Sequence, residues 1–203
     1  MNSNENVNVN MNANMKIETI HPCPIAYVRQ TGAYGNDNIR AMEQLKQWAR
    51  NNGLMNSKAV IFGIPQDNPQ TTAPENCRYD ACIALAKEHL RANEAVSAKH
   101  VPADDMTSAK QIPAGDTMHS QLASEDSNIQ YGELTGGTYA VFTVSHTAEA
   151  VAQAWTEIFA LISASGFIPE LSRPILERYQ AELVAAHLCE LCVPINEDRR
   201  RIK

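Results

Sequence analysis

Residues 129–166, IQYGELTGGTYAVFTVSHTAEAVAQAWTEIFALISASG, decide the fold. The first part, 129–145, is rich in β-branched and aromatic residues and reads as a strand, with Gly136-Gly137 supplying a turn or bulge ahead of its apolar run. Thr147 then stands where a helix N-cap belongs, and Glu149 falls in the first turn. Across 148–164 the residues Val151, Trp155, Ile158, Phe159 and Ile162 share one helical face. Gly166 is free to take the positive φ that ends a helix. Downstream, 173–182 and 184–195 read as two further strands.

The same order occurs upstream. Residues 17–31 read as a strand, and 38–52 as a helix whose apolar face holds Ile39, Met42, Leu45, Trp48 and Ala49. Gly53 ends it as Gly166 ends the other. Strands at 58–64 and 78–86 flank the turn-rich PQDNPQTTAPEN of 65–76. Strand, helix, strand, strand is thus stated twice. Each half has one sheet face to cover and one helix to cover it. The expected architecture is α+β: tandem duplicated β-α-β-β units forming an antiparallel sheet, two helices packed on one face, and a cleft at the seam.

The expected organisation is an Asn-rich disordered tail at 1–16, a domain at 17–195 and a basic tail at 196–203. Asn occupies every even position from Asn2 to Asn14, a pattern with too little apolar surface to order itself. Within the domain, repeat 1 covers 17–87 and repeat 2 covers 129–195. The 88–128 insert is rich in Ala, Ser, Asp and Pro and reads as a disordered excursion, with a lid over the cleft as the alternative.

The chain has 203 residues, 44% of them hydrophobic, with a net charge of −6. That balance disfavours direct nucleic-acid binding, which usually shows a basic excess. No apolar run reaches membrane-spanning length, so no membrane association is expected. The five cysteines, an odd number without a secretion signal, point to reduced thiols in the cytoplasm. Cys189 and Cys192 lie three apart in a strand and should face opposite ways, as core residues rather than metal ligands. No phosphate-binding glycine motif, nucleophile elbow or zinc-ligand spacing appears, so neither metal nor cofactor is expected.

Glu177 carries the most information. In a strand, Ile175, Glu177 and Tyr179 share one face, while Leu176 and Arg178 share the other. An inward Glu177 would either hold a proton or attract a cation; an outward one would pair with a base such as Arg173. Tyr27, Trp48, Phe62, Tyr139, Phe142, Trp155 and Phe159 all fall in expected elements. They read either as ordinary core or as walls for a flat, cationic ligand.

The chain resembles the GyrI-like small-molecule-binding, or effector-binding, family. The resemblance rests on residues 133–144 (ELTGGTYAVFTV), Ala154-Trp155, and Arg173-Pro174 followed by Leu176-Glu177-Arg178-Tyr179. In the first half it rests on Phe62-Gly63-Ile64, Asp67-Asn68-Pro69 and residues 77–82 (CRYDAC). It implies the duplicated fold read above and a pocket in which Glu177 meets the positive charge of bound drugs, with Trp155 as a wall. With Tyr179 from the strand alternation and the aromatic positions added to these two, the expected ligand-binding residues are Glu177, Tyr179, Trp155, Tyr139, Phe62 and Tyr27. The implied function is capture of amphipathic, often cationic or planar molecules, with protection of DNA gyrase or of the cell from toxins. The alternative is a hydrolase opening strained cyclopropane-type rings of DNA-alkylating natural products. Glu177 would then be catalytic, with Tyr179 or Tyr139 as proton donor.

Overall fold

The computed structural model describes residues 15–86 and 128–196. Met15, Lys16 and Asn196, expected in the tails, belong to strands because each pairs in a ladder; the rest of the tail, insert and C-terminal expectations lies outside the described residues, apart from residue 128. In chain order the elements are β1 (Met15–Ile20), β2 (Cys23–Thr31), α1 (Asn36–Asn51), β3 (Val60–Pro65) and β4 (Arg78–Ala84). There follow β5 (Gln130–Leu134), β6 (Gly137–Ser145), α2 (Ala148–Ala164), β7 (Ile168–Pro169), β8 (Leu176–Gln180), a helical turn α3 (Ala181–Ala185) and β9 (Leu188–Asn196).

The antiparallel sheet runs β1-β6-β9-β8-β3-β4-β2-β5, with the short β7 added beside β9. Each half supplies one side of the sheet, and they meet where β3 pairs with β8. The first strand of each half is broken in two and its leading piece is exchanged. β1 pairs with β6 of the second half, and β5 with β2 of the first. In both ladders the partner numbers add to 157, as for Met15 with Phe142 and Cys23 with Leu134. Residues 15–27 and 130–142 therefore form one long ladder crossing at a corner, so the continuous strands expected at 17–31 and 129–145 are each two strands. Proline at 22 has no N–H for the ladder. Gly136, at φ 68, lies so close to Ile20 O and Pro22 N that a Cβ would come within 2.6 Å of each.

Both helices pack on one sheet face, as the pattern required. α2 spans the expected residues, and Thr147 caps it by accepting from the Ala150 N–H at 3.2 Å. Ala41, Leu45 and Ala49 of α1 pack with Ala26, Val28, Ala81 and Ile83. Ala154, Ile158 and Ile162 of α2 pack with Phe142, Val144 and Leu191. Each such buried Leu, Ile or Phe contributes about 1.5–3 kcal/mol. The opposite face is also apolar, and there Ile20 of β1 and Leu134 of β5 join Phe62, Val141 and Leu176 in one cluster. Strands at the two ends of the strand order share that cluster, so the sheet curls on itself. Cys189 and Cys192 fall in clusters on opposite faces, as expected.

Two stretches differ from the sequence reading. β8 begins at Leu176 rather than 173, because Arg173 turns away to bond Glu170 and the carbonyls of Gly136, Thr138 and Ile195. Good helix formers then close a turn at Ala181–Ala185, and His187 takes a left-handed φ of 56 before β9 starts at Leu188. His187 is therefore a turn residue, not a strand residue.

Candidate functional site

At the seam, Gly63 of β3 stands directly opposite Glu177 of β8. Alternation along β8 sends Leu176 and Arg178 into or toward the curled face and leaves Glu177 and Tyr179 on the helix face. Tyr179 packs against the clusters beneath both helices and so marks the midline between them. The parity that left two faces open in the sequence resolves with Glu177 inward.

Glu177 Oε2 accepts two phenolic hydrogen bonds, from Tyr79 Oη at 3.1 Å and Tyr179 Oη at 3.0 Å. Trp155 of α2 lies beside the carboxyl and, like the two phenols, favours its charged form. Burial raises the proton affinity of Glu177 above the ordinary carboxylate value, although the two phenols and Trp155 pull the other way. The same burial pushes both phenols far up, so they stay protonated donors. Aromatic contacts extend the group: the Tyr34 ring meets Tyr79 edge-on at 6.3 Å, and His146 lies 5.1 Å from the Tyr179 ring. Desolvation, then Lys46 of α1 and His187, hold the His146 pKa below its usual value.

No ion pair to Glu177 occurs among the described residues. Arg173, its expected surface partner, is bound to Glu170 instead. The neighbouring Arg178 points through the sheet to the curled face. There its Nη1 and Nη2 meet Glu18 at 2.7 and 2.9 Å and its Nε meets Glu190 at 2.7 Å, while Lys16 closes the network on Glu190 at 2.9 Å. Two adjacent residues of β8 thus have opposite fates, one saturated with counter-charge and one without any. A half-buried carboxylate of the second kind either holds a proton or draws in a cation.

The structure brings together three of the six expected ligand-binding residues: Glu177, Tyr179 and Trp155. Phe62, Tyr139 and Tyr27 are corrections to that grouping. Phe62 and Tyr139 are buried in the cluster of the curled face and Tyr27 packs against it, so none lines the Glu177 group. Each is offset by one residue from the helix-facing set of its strand. Tyr139 bonds the Pro174 carbonyl and lies under the Arg173 guanidinium, which also excludes it as a proton donor beside Glu177. The residues the sequence reading missed are Tyr79, Tyr34 and His146. Tyr79 had a usable signal, since it alternates with Ala81 and Ile83 in β4. A cavity of about 350 Å³ lies elsewhere, beside α1 and β2. Its two arginines, Arg29 and Arg40, are already paired with Asp80 and Asp37. The described residues hold no group of His, Cys, Asp and Glu suited to a metal ion, and no helix long and apolar enough to cross a membrane.

The profile of the GyrI-like small molecule binding domain matches residues 13–196. The SPbeta prophage-derived protein YosT of Bacillus subtilis (strain 168), a candidate transcriptional regulator by its name, is 35% identical over 184 residues, covering 88% of this chain and 97% of that protein. A DNA gyrase inhibitor of Edwardsiella piscicida is 26% identical over 186 residues, covering 90% of this chain and 98% of its own length. Among solved structures, the C-terminal domain of EcmrR aligns with a TM-score of 0.55 at 12% identity, over 90% of this chain and 96% of that one. A hydrolase from Listeria innocua aligns with a TM-score of 0.54 at 10% identity, over 90% and 92%. At those identities the two structures share the fold with this chain.

Proposed function

The chain belongs to the GyrI-like family of small-molecule-binding domains, and from that premise we propose that it captures amphipathic, positively charged molecules at the seam between its halves. Glu177 is the group that meets the charge, and Trp155, Tyr179 and Tyr79 supply aromatic surface around it. The observation that carries this reading is a half-buried carboxylate held by two phenolic donors beside Trp155, with no basic partner among the described residues. Such a group gains most from a cation that brings its own charge and little water, and ring faces add about 0.5–2 kcal/mol. Five unpaired cysteines support a reducing cytoplasmic setting. The test is a titration with a hydrophobic cationic dye. Wild type should bind at least about tenfold more tightly than Glu177→Gln, a difference of about 1.4 kcal/mol. Equal affinity would refute charge recognition by Glu177.

A second reading uses the same carboxyl. Its raised proton affinity suits a general base, with Tyr179 or Tyr79 as the nearby donor, for water attack on strained rings of alkylating natural products. Mass analysis for added water separates turnover from release of unchanged ligand. The gyrase inhibitors among the relatives suggest gyrase as a macromolecular partner, which a supercoiling assay with purified components tests directly.

A further inference from the structure

We infer that Gly63 is a positioning residue for the Glu177 site: its missing side chain is the space through which the Tyr79 hydroxyl crosses β3 to hold the carboxylate. β2 starts at Cys23 and β6 at Gly137, 114 residues on. The exchanged corners obey the same spacing, since Ile20 ends β1 as Leu134 ends β5. Applied to the seam, that spacing carries Gly63 onto Glu177, and the β3–β8 ladder pairs those two residues with each other. The pseudo-two-fold axis therefore passes between them. Equivalent side chains there would point to the same face at the same place. The protein places a carboxylate from one half and nothing from the other.

The backbone does not demand glycine at 63. It is absent from the glycines of positive φ and lies in the interior of a strand, where Gly is less stable than Ala. Local space does demand it. A Cβ at 63 would overlap the Tyr79 hydroxyl, approach Tyr79 Cζ at 2.8 Å and approach Glu177 Oε2 at 2.8 Å. Tyr79 comes from β4, on the far side of β3 from Glu177, and is 5% exposed, so its ring has little room to yield. Filling position 63 removes the Tyr79 hydrogen bond before it disturbs the sheet register. This inference deepens the binding reading above, because it concerns the same carboxylate.

The experiment follows the Glu177 carboxyl by carbon-detected NMR as pH is varied, without ligand, with Glu177→Gln to assign the signal. Tyr79 donates to the carboxylate and so holds its pKa down. Tyr79→Phe should therefore move the midpoint upward, Gly63→Ala should move it the same way, and the double variant should move it no further than the larger single change. Each single variant should also weaken cationic dye binding about tenfold. A midpoint unchanged in Gly63→Ala, or shifts that add in the double variant, would overturn the proposal. If Gly63→Ala does not fold, the double variant, which removes the overlapping hydroxyl, should fold and melt above it; no recovery overturns the proposal equally. A wild type that binds no dye refutes the binding reading alone, since the titration contains no dye.

Discussion

Changing Glu18 to Gln should unpin the exchanged strand β1 from the strand that carries Glu177. Glu18 meets Arg178 through two hydrogen bonds of 2.7 and 2.9 Å, and these, with Arg178's charge and Lys16, lower its pKa from 4.5 to about 2. A shift of that size has a ceiling of about 3.4 kcal/mol, at about 1.36 kcal/mol per unit. Glu18 is 33% exposed, so solvent screening reduces the figure to about 1–2 kcal/mol. The folded pKa is the lower one, so the contribution is present above pH 4.5 and is lost as pH falls toward 2, with about half gone by pH 3. Glu18→Gln leaves Arg178 paired with Glu190, so no bare buried charge confuses the comparison. Urea unfolding of both proteins from pH 7 to pH 3 should show a gap of about 1–2 kcal/mol that narrows steadily below pH 4.5. A gap of zero at pH 7, or one unchanged at pH 3, would refute the pinning of β1 through Arg178.

Two further outcomes follow from the same geometry. Glu177 has the opposite sign to Glu18: its folded pKa is raised, so ionisation opposes folding above that pKa and has no effect below 4.5. Glu177→Gln should therefore stabilise the protein and raise its Tm at neutral pH, with the gain vanishing in acid; calorimetric melting against pH checks it. Arg173→Ala removes donors to the carbonyls of Gly136, Thr138 and Ile195 at the corner where the halves exchange strands. It should cost about 2–3 kcal/mol in urea unfolding, whereas a purely superficial arginine would cost under 0.5.

Much of this was legible in the sequence. The α2 boundaries, its Thr147 cap and the helix-ending Gly53 and Gly166, at φ 69 and 82, followed from local chemistry that neighbours did not override. The corners were not: the strand at 17–31 was read straight through Pro22, and Gly136 as a turn or bulge ahead of a single apolar run, because only the partner strands make either a corner. Strand exchange is a long-range fact, visible only in which ladder each half-strand joins. The site was half legible for a similar reason. Period-two alternation grouped Glu177 with Tyr179 and apart from Arg178, but aromatic content alone gathered Phe62, Tyr139 and Tyr27 into a pocket they do not line. Each sits one residue out of phase with the helix-facing set. Tyr79 entered from another strand through the gap at Gly63, a contact that only three-dimensional space reveals.

The central claim is that Glu177 recognises positive charge rather than shape. It is tested most directly by calorimetric titration of wild type and Glu177→Gln with a hydrophobic cation and a neutral analogue of the same shape. Wild type should prefer the cation about tenfold or more, and the preference should collapse in Glu177→Gln while affinity for the neutral analogue holds. An equal preference in both proteins, or none in wild type, would contradict the account.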